Sequence, residues 1–127
     1  MKLSVGTDIE SVERFQKMLQ NRKTIVKRFF FENEYNYAIS KVNSAQTLTG
    51  IWCAKEAVVK CFNKITILNI KDVEIISQKN SSPSAIVYFL PEYEINYNLS
   101  ISISHTKDFA TAIAVLTLLE DTEKHKN

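Results

Sequence analysis

The stretch WCAKEAVVKCF, Trp52–Phe62, is an apolar run that three charged residues interrupt. Read as a helix, it places Glu56 and Lys60 four residues apart, on one face. One interpretation is a surface ion pair, which contributes roughly 0.3–0.5 kcal/mol to stability. The other is a binding site for a cation and a phosphate. The rest of the chain has to distinguish the two.

The size and composition are those of one globular domain. The chain has 127 residues, of which 45% are hydrophobic and 24% are charged. A chain of this length buries about two-thirds of its unfolded surface and needs no disulfide to be stable. We expect a single domain over residues 1–119, followed by a polar C-terminal tail over residues 120–127 that frays.

The sequence indicates a cytoplasmic protein without a membrane contact. The opening MKLSVGTDIE lacks the apolar core of a signal peptide, and no segment approaches the roughly 20 apolar residues of a membrane span. Cys53 and Cys61 lie in one predicted helix, about 12 Å apart along its axis, which is too far for a mutual disulfide. Two buried thiols suit a reducing compartment.

Helical patterns come before strand patterns along the chain. The predicted helices cover 11–22, 32–40 and 44–62, with a short helical or turn segment at 25–31. The predicted strands are 2–8, 70–77, 84–90, 99–104 and 109–118. We expect the first strand to enter a turn at Gly6-Thr7-Asp8, and Ser44, Thr47 or Thr49 to cap the long helix. This order predicts an α+β fold with an antiparallel sheet.

The last two predicted strands also predict how the layers pack. Ala110, Ala112 and Ala114 alternate with larger residues, so one strand face carries only small side chains. That face leaves room for a helix. The two strands are joined by a polar turn at 105–108.

Four polar residues stand out by position: Asp8, Glu56, Lys60 and His105. Asp8 could simply cap the helix that follows it, and His105 could be an ordinary surface histidine. If the four meet, however, two carboxylates would repel each other unless a cation lay between them. Magnesium binds through one or two carboxylates and completes its shell with water and phosphate oxygens. A nearby lysine holds phosphate as a point charge. The set therefore describes a magnesium–diphosphate site.

Three segments in order resemble a known family. They are GTDIESVER (Gly6–Arg14), GIWCAKEAVVK (Gly50–Lys60) and LSISISHTKDFATAIAVL (Leu99–Leu116). With KDVEI (Lys71–Ile75) between them, they are similar to holo-acyl-carrier-protein synthase, the small bacterial phosphopantetheinyl transferase. The resemblance covers nearly the whole chain. It implies the phosphopantetheinyl transferase fold, in which a long helix packs against the antiparallel sheet.

The resemblance also implies an activity and its residues. The family transfers the phosphopantetheine arm of coenzyme A to a serine of an acyl carrier protein and releases adenosine bisphosphate. By motif, Asp8 and Glu56 would bind Mg²⁺ with the diphosphate, and Lys60 would contact the phosphates. His105 and Thr106 would help to bind coenzyme A. Glu56, or a metal-bound water beside it, would accept the serine proton.

The resemblance gives the basic segment a partner as well. Residues 14–28 contain six basic residues and no acidic one, although the net charge is only +2. Arg14 and Met18 would face an acidic carrier protein, supported by Arg22 and Arg28; a solvated helix face is the alternative. The modest net charge and the lack of a ribonucleoprotein motif argue against nucleic-acid binding. The family commonly forms a homotrimer with coenzyme A between subunits.

Several positions depart from the family pattern. Ile51 replaces an arginine, Val59 a serine, the segment 63–66 a glycine-rich loop, and 81–83 a Gly-Lys-Pro turn. The proposed magnesium and diphosphate residues are unaffected. The departures fit a divergent member that serves a specialised carrier, although the resemblance itself implies a role in fatty acid biosynthesis and lipid metabolism, and the sequence leaves the carrier open between the two. They also motivate an alternative, a catalytically weak or inactive homologue that binds carrier protein or coenzyme A as a scaffold.

Overall fold

One long helix packs across a three-stranded antiparallel sheet within the residues that the computed structural model describes, which are 2–88, 90 and 95–119. The helices are α1 (Val12–Asn21), α2 (Lys23–Phe29), α3 (Glu32–Ile39) and α4 (Ser44–Cys61). The strands are β1 (Lys2–Ser11), β2 (Val73–Ile76), β3 (Ser84–Val87), β4 (Tyr97–His105) and β5 (Phe109–Leu118). The predicted α+β class is confirmed. The predicted tail, residues 120–127, lies outside the described residues, and so does Phe89 of the predicted strand 84–90.

The strand order brings the two ends of the chain together. The larger sheet has the order β1-β5-β4, and β2 and β3 form a separate antiparallel hairpin, as predicted. Asp8 pairs across the sheet with Ala112, which pairs in turn with Ile103. The adjacent row on the same face runs from Glu10 through Ala110 to His105. Asp8 and His105 therefore lie on the two outer strands of the sheet.

Small side chains allow α4 to lie directly on the sheet. Ala110, Ala112 and Ala114 are at most 3% exposed, which confirms the predicted small face of the last strand. Gly6 on β1 approaches even more closely, because a Cβ atom built there would lie 1.9 Å from the carbonyl oxygen of Ala57. Any side chain at position 6 would push the helix away from the strand. This contact sets the height of α4 above Asp8, the next residue on the same strand face.

The predicted turn at Gly6-Thr7-Asp8 is wrong. β1 continues without interruption to Ser11, and α1 begins at the next residue. Gly6 does not form a turn. It allows β1 to pack closely against α4. Asp8 consequently lies inside a strand, and it does not cap α1, whose N-cap residue Ser11 makes no side-chain capping bond.

The remaining differences are at element ends. None of the predicted residues caps α4: its N-cap is Asn43, and the Ser44 hydroxyl donates backwards to the carbonyl of Lys41. β4 extends through His105, so the connection to β5 is only Thr106–Asp108. Both cysteines are buried free thiols, as predicted. Among the described helices, none combines the length and apolar character needed to cross a bilayer.

Candidate active site

Lys60 joins α4 to β1 at the candidate site. Its ammonium group donates to the Thr7 carbonyl over 2.8 Å and lies 3.4 Å from Asp8 Oδ1. The predicted alternative, an ion pair between Lys60 and Glu56, does not occur within 4.0 Å in the described part of the chain. Lys60 therefore pairs across the helix–strand boundary instead of along its own helix.

Glu56 shares the electrostatic environment of Asp8. Burial raises the pKa of Glu56, the negative charge of Asp8 raises it further, and the positive charge of Lys60 lowers it. Smaller effects come from Glu10, which raises this pKa, and from Arg14, which lowers it. The sequence-predicted residues Asp8, Glu56 and Lys60 thus come together at the β1 side of α4.

Asp8 has a buried carboxylate oxygen. Its Oδ2 atom is buried, and no N–H or O–H group of the described residues donates to it, although Lys60 reaches Oδ1 and the Cys53 thiol interacts with the Asp8 side chain. A buried carboxylate oxygen without such a donor is costly, because the loss of its hydration is not compensated. A divalent cation beside Asp8 and Glu56 would satisfy this oxygen and remove their repulsion, so the donor set fits Mg²⁺. Among the described residues, no group of three or more His, Cys, Asp or Glu side chains is placed to hold a metal.

Glu10 and Arg14 border this site. The sequence predicted only a carrier-docking role for Arg14. The Arg14 guanidinium donates to Glu10 Oε2 over 2.7 Å and lies 6.0 Å from the centre of the Trp52 ring. Cys53 lies beneath the carboxylates and donates to the carbonyl of Ala110. Burial, with the charges of Asp8 and Glu10, raises the pKa of Cys53 to about 12. Cys53 is therefore a neutral thiol under the site.

His105 lies on the other flank of α4. It lines a pocket of about 220 Å³ between the N-terminal half of α4 and the β2–β3 hairpin, together with Gly50, Ile51, Ser81 and Pro83. Because β5 separates β1 from β4, the Cα atoms of Asp8 and His105 are roughly 10 Å apart or more. Within one chain the structure therefore does not bring His105 to the carboxylates.

Thr106 has a structural role in the turn next to His105. Its hydroxyl accepts from the Phe109 amide, and its backbone carbonyl accepts from the Gln46 side chain over 2.9 Å. These bonds fix the turn that follows His105. Thr106 remains exposed.

Three of the four predicted docking residues lie on the first two helices, and Arg22 is the residue that connects these helices. Arg14, Arg22 and Arg28 are exposed, whereas Met18 is only partly buried against the core. Arg14 and Met18 are four residues apart on α1 and share a face. This face of α1 thus carries one exposed basic side chain and one partly exposed apolar side chain.

One feature near the site could not be anticipated from the sequence. Lys55, next to Glu56, is fully buried and forms an ion pair with Glu34 of α3 over 2.7 Å. Burial raises the pKa of Glu34 and lowers that of Lys55, and their mutual attraction opposes both shifts. Local sequence carries no signal for a partner 21 residues away.

Comparison with known proteins decides the family. The 4'-phosphopantetheinyl transferase superfamily matches residues 4–114 of the chain. The chain belongs to this superfamily. Among its curated relatives, the holo-[acyl-carrier-protein] synthase of Clostridium botulinum (strain Eklund 17B / Type B) is 32% identical over 120 residues, which are 91% of this chain and 97% of that protein. The synthase of Caldicellulosiruptor saccharolyticus is 36% identical over 120 residues, with 91% and 96% covered.

Solved structures of the superfamily share the fold. The "Chronobacterium ammoniagenes ACPS-CoA complex" superposes with a TM-score of 0.76 at 22% identity, over 94% of this chain and all of that chain (100%). The Bacillus anthracis holo-(acyl-carrier-protein) synthase, solved in complex with CoA (3',5'-ADP), has a TM-score of 0.67 at 28% identity and covers 89% and 94%. The predicted resemblance to this enzyme family is confirmed.

Proposed function

We propose that this chain is a magnesium-dependent holo-acyl-carrier-protein synthase. It transfers the phosphopantetheine arm of coenzyme A to a serine hydroxyl of an acyl carrier protein and releases adenosine 3',5'-bisphosphate. The observation that carries the site assignment is the buried Oδ2 of Asp8, to which no N–H or O–H group of the described residues donates, beside Glu56 and Lys60 in a chain of this superfamily. We assign this activity to the single domain expected over residues 1–119.

Asp8 and Glu56 would hold the magnesium ion. When bound, the ion neutralises charge on the diphosphate of coenzyme A. Two carboxylates leave most of the coordination shell to water and to the phosphate oxygens of the substrate, which is the usual arrangement for magnesium.

The chain's own groups then act on the reacting atoms. Lys60, held between Thr7 and Asp8, contacts the diphosphate and offsets the charge that develops on its bridging oxygen. Glu56, placed beside Asp8 and Lys60, accepts the serine proton. The serine oxygen bonds to the phosphorus on the pantetheine side, and the bond from that phosphorus to the bridging oxygen breaks. Positioning and charge stabilisation supply most of the catalysis.

We further propose that two copies of the chain complete each coenzyme A site in a homotrimer. His105 and the carboxylates lie on opposite flanks of α4, so a ligand held by both would bridge neighbouring copies. The sheet face turned away from α4 supports such an assembly, because it exposes large apolar side chains. These are Leu3, Val5, Ile9, Phe109 and Ile113, each at least 41% exposed. A contiguous apolar patch of this kind marks an interaction surface.

The carrier protein would dock on the basic face of α1 and α2. Arg14, Arg22 and Arg28 attract an acidic partner, and Met18 supplies an apolar contact. Arg14 also lies beside Glu10, at the edge of the carboxylate site. A carrier on this face would therefore bring its serine towards Glu56. The two buried free thiols accord with the reducing cytoplasm as the place of action.

The test is intact mass spectrometry of apo carrier proteins after incubation with the chain, coenzyme A and Mg²⁺. We expect one carrier to gain the mass of the phosphopantetheine arm. Carriers of fatty acid synthesis and of specialised pathways are both included, since the sequence departures leave the carrier open. Binding of coenzyme A by calorimetry without any mass gain would overturn the enzymatic proposal and indicate a binding scaffold.

A further inference from the structure

A fully buried ion pair joins three elements behind the candidate site. Lys55 Nζ donates to Glu34 Oε1 over 2.7 Å and to the carbonyl of Val73 over 2.6 Å. Glu34 Oε2 accepts from the amide of Ile75 over 2.7 Å, and Oε1 also accepts from the amide of Phe31 over 2.8 Å. Helix α4, helix α3 and strand β2 are therefore connected through one ammonium and one carboxylate. We call this set of bonds the Glu34–Lys55 latch.

Stability alone gives no reason for this arrangement. Replacing a buried ion pair with well-packed apolar residues is often neutral or stabilising. The neighbouring side chains Val73 and Ile75 are at most 2% exposed, so apolar burial already holds β2 against the body of the protein. Apolar burial is not directional, however. The latch differs because its hydrogen bonds fix where β2 lies along α4.

The position of β2 matters to the pocket that contains His105. The segment that follows β2 supplies Ser77, Gln78, Ser81 and Pro83 to one wall of this pocket. The opposite wall includes Ile51, which lies one helical turn before Lys55 on the same face of α4. The latch thus connects the two walls of the pocket, one helical turn along α4 from Ile51.

We propose that Glu34 and Lys55 are positioning residues that set the width of the His105 pocket and thereby the affinity for coenzyme A. Neither side chain reaches the pocket, and neither is accessible to a ligand. This inference rests on the proposed role of His105, which lines that pocket, in binding coenzyme A. The carrier-docking face on α1 and α2 does not include the latch, so the affinity for the carrier does not depend on it.

The experiment compares steady-state kinetics of wild type, Lys55→Met and the double variant Glu34→Gln/Lys55→Met. The double variant contains no unpaired buried charge. We expect the KM for coenzyme A to rise about tenfold in both variants, while kcat and the KM for the carrier change by less than about threefold. The matched control is Glu32→Gln/Lys64→Met, which makes the same two kinds of change at exposed positions outside the pocket and the docking face and should leave all three constants unchanged.

A role limited to folding would give a different pattern. Loss of folded protein lowers the apparent kcat and leaves both KM values at the wild-type level, and that result overturns the proposal. An equal rise of both KM values also overturns it. Wild-type activity in the same assay tests the proposed function separately, because an inactive wild type refutes that function before any variant is compared.

A measurement on the wild type covers the case in which the variants do not fold. The amide of Ile75 donates to Glu34 within the latch. By thermodynamic reciprocity, a ligand whose affinity depends on the latch must also stabilise it. We expect coenzyme A to slow hydrogen exchange of the Ile75 amide at least tenfold; exchange that coenzyme A leaves unchanged overturns the proposal.

Discussion

Lys60 of α4 and Asp8 of β1 form an ion pair across the helix–strand boundary, with 3.4 Å between Nζ and Oδ1. The same ammonium also donates to the carbonyl of Thr7. It is therefore fixed beside the carboxylates before any substrate binds. A preorganised charge of this kind needs no reorganisation when charge develops on a phosphate.

Removing the Lys60 charge should reduce catalysis. For Lys60→Met we expect a fall in kcat of about 10²-fold, as is typical when one preorganised electrostatic group is lost. Lys64→Met is the control, since Lys64 is an exposed lysine just beyond the same helix. Transfer assays by mass spectrometry measure both. A wild-type kcat in Lys60→Met would remove Lys60 from the site.

Glu56→Gln should abolish transfer and stabilise the metal-free protein. Burial and the charge of Asp8 raise the pKa of Glu56, so the ionised side chain destabilises the folded state near neutral pH. The neutral amide removes that repulsion and should raise the Tm by a few degrees. Calorimetry in the presence of a chelator measures this gain, and a Tm below that of wild type contradicts it.

The pH dependence of that gain follows from the same shift. As the pH falls through the folded-state pKa of Glu56 towards the ordinary value of 4.5, wild type takes up the proton and its repulsion disappears. The Tm difference between Glu56→Gln and wild type should therefore be largest near pH 7 and shrink on acidification. A difference that grows as the pH falls would show that the folded-state pKa is lowered.

Gly6→Ala should destabilise the fold, because its Cβ would meet the Ala57 carbonyl at 1.9 Å. We expect a loss of about 1–3 kcal/mol, the usual range for overpacking. Thr7→Ala, on the exposed face of the same strand, is the matched control and should change much less. Urea unfolding compares the two. Equal stability of Gly6→Ala and wild type would mean that α4 can move freely on β1.

Ile9→Lys should disrupt the proposed trimer. Ile9 is 65% exposed on the apolar sheet face of the single chain. In the proposed trimer this face would be buried, and a lysine there would be a buried charge among apolar side chains. Sedimentation analysis should show a threefold lower mass than for wild type. Ile67→Lys, at an 85% exposed position outside the sheet, should leave the mass unchanged. A wild type that is already monomeric would refute the trimer.

The two cysteines should resist alkylation in the folded protein. Both are buried, and their pKa values are raised to about 12 for Cys53 and about 11 for Cys61, mainly by burial. Because the thiolate is the reactive form, iodoacetamide at pH 8 should label neither residue in the native state and both in urea. Mass spectrometry counts the adducts. Fast labelling of the native protein would show that the helix–sheet interface opens.

Local sequence patterns were enough to predict the elements and the identities of the candidate site residues. Helical and strand periods are local properties, so α1, α4, the β2–β3 hairpin and β5 were predicted within a few residues. The small face of β5 likewise predicted the packing of α4. Asp8, Glu56 and Lys60 were selected by motif, and the fold brings them together.

How those residues pair depends on the folded arrangement of the elements. Gly6 resembles a turn residue in the sequence, but a close contact with Ala57 explains it. Lys60 could have paired with Glu56 along the helix, yet it pairs with Asp8 of another element. Lys55 is as charged as its neighbours but is buried against Glu34. These outcomes depend on contacts between residues that are distant in sequence. Such contacts, and the burial of the side chains that make them, form only when the chain folds, so no local sequence pattern specifies them.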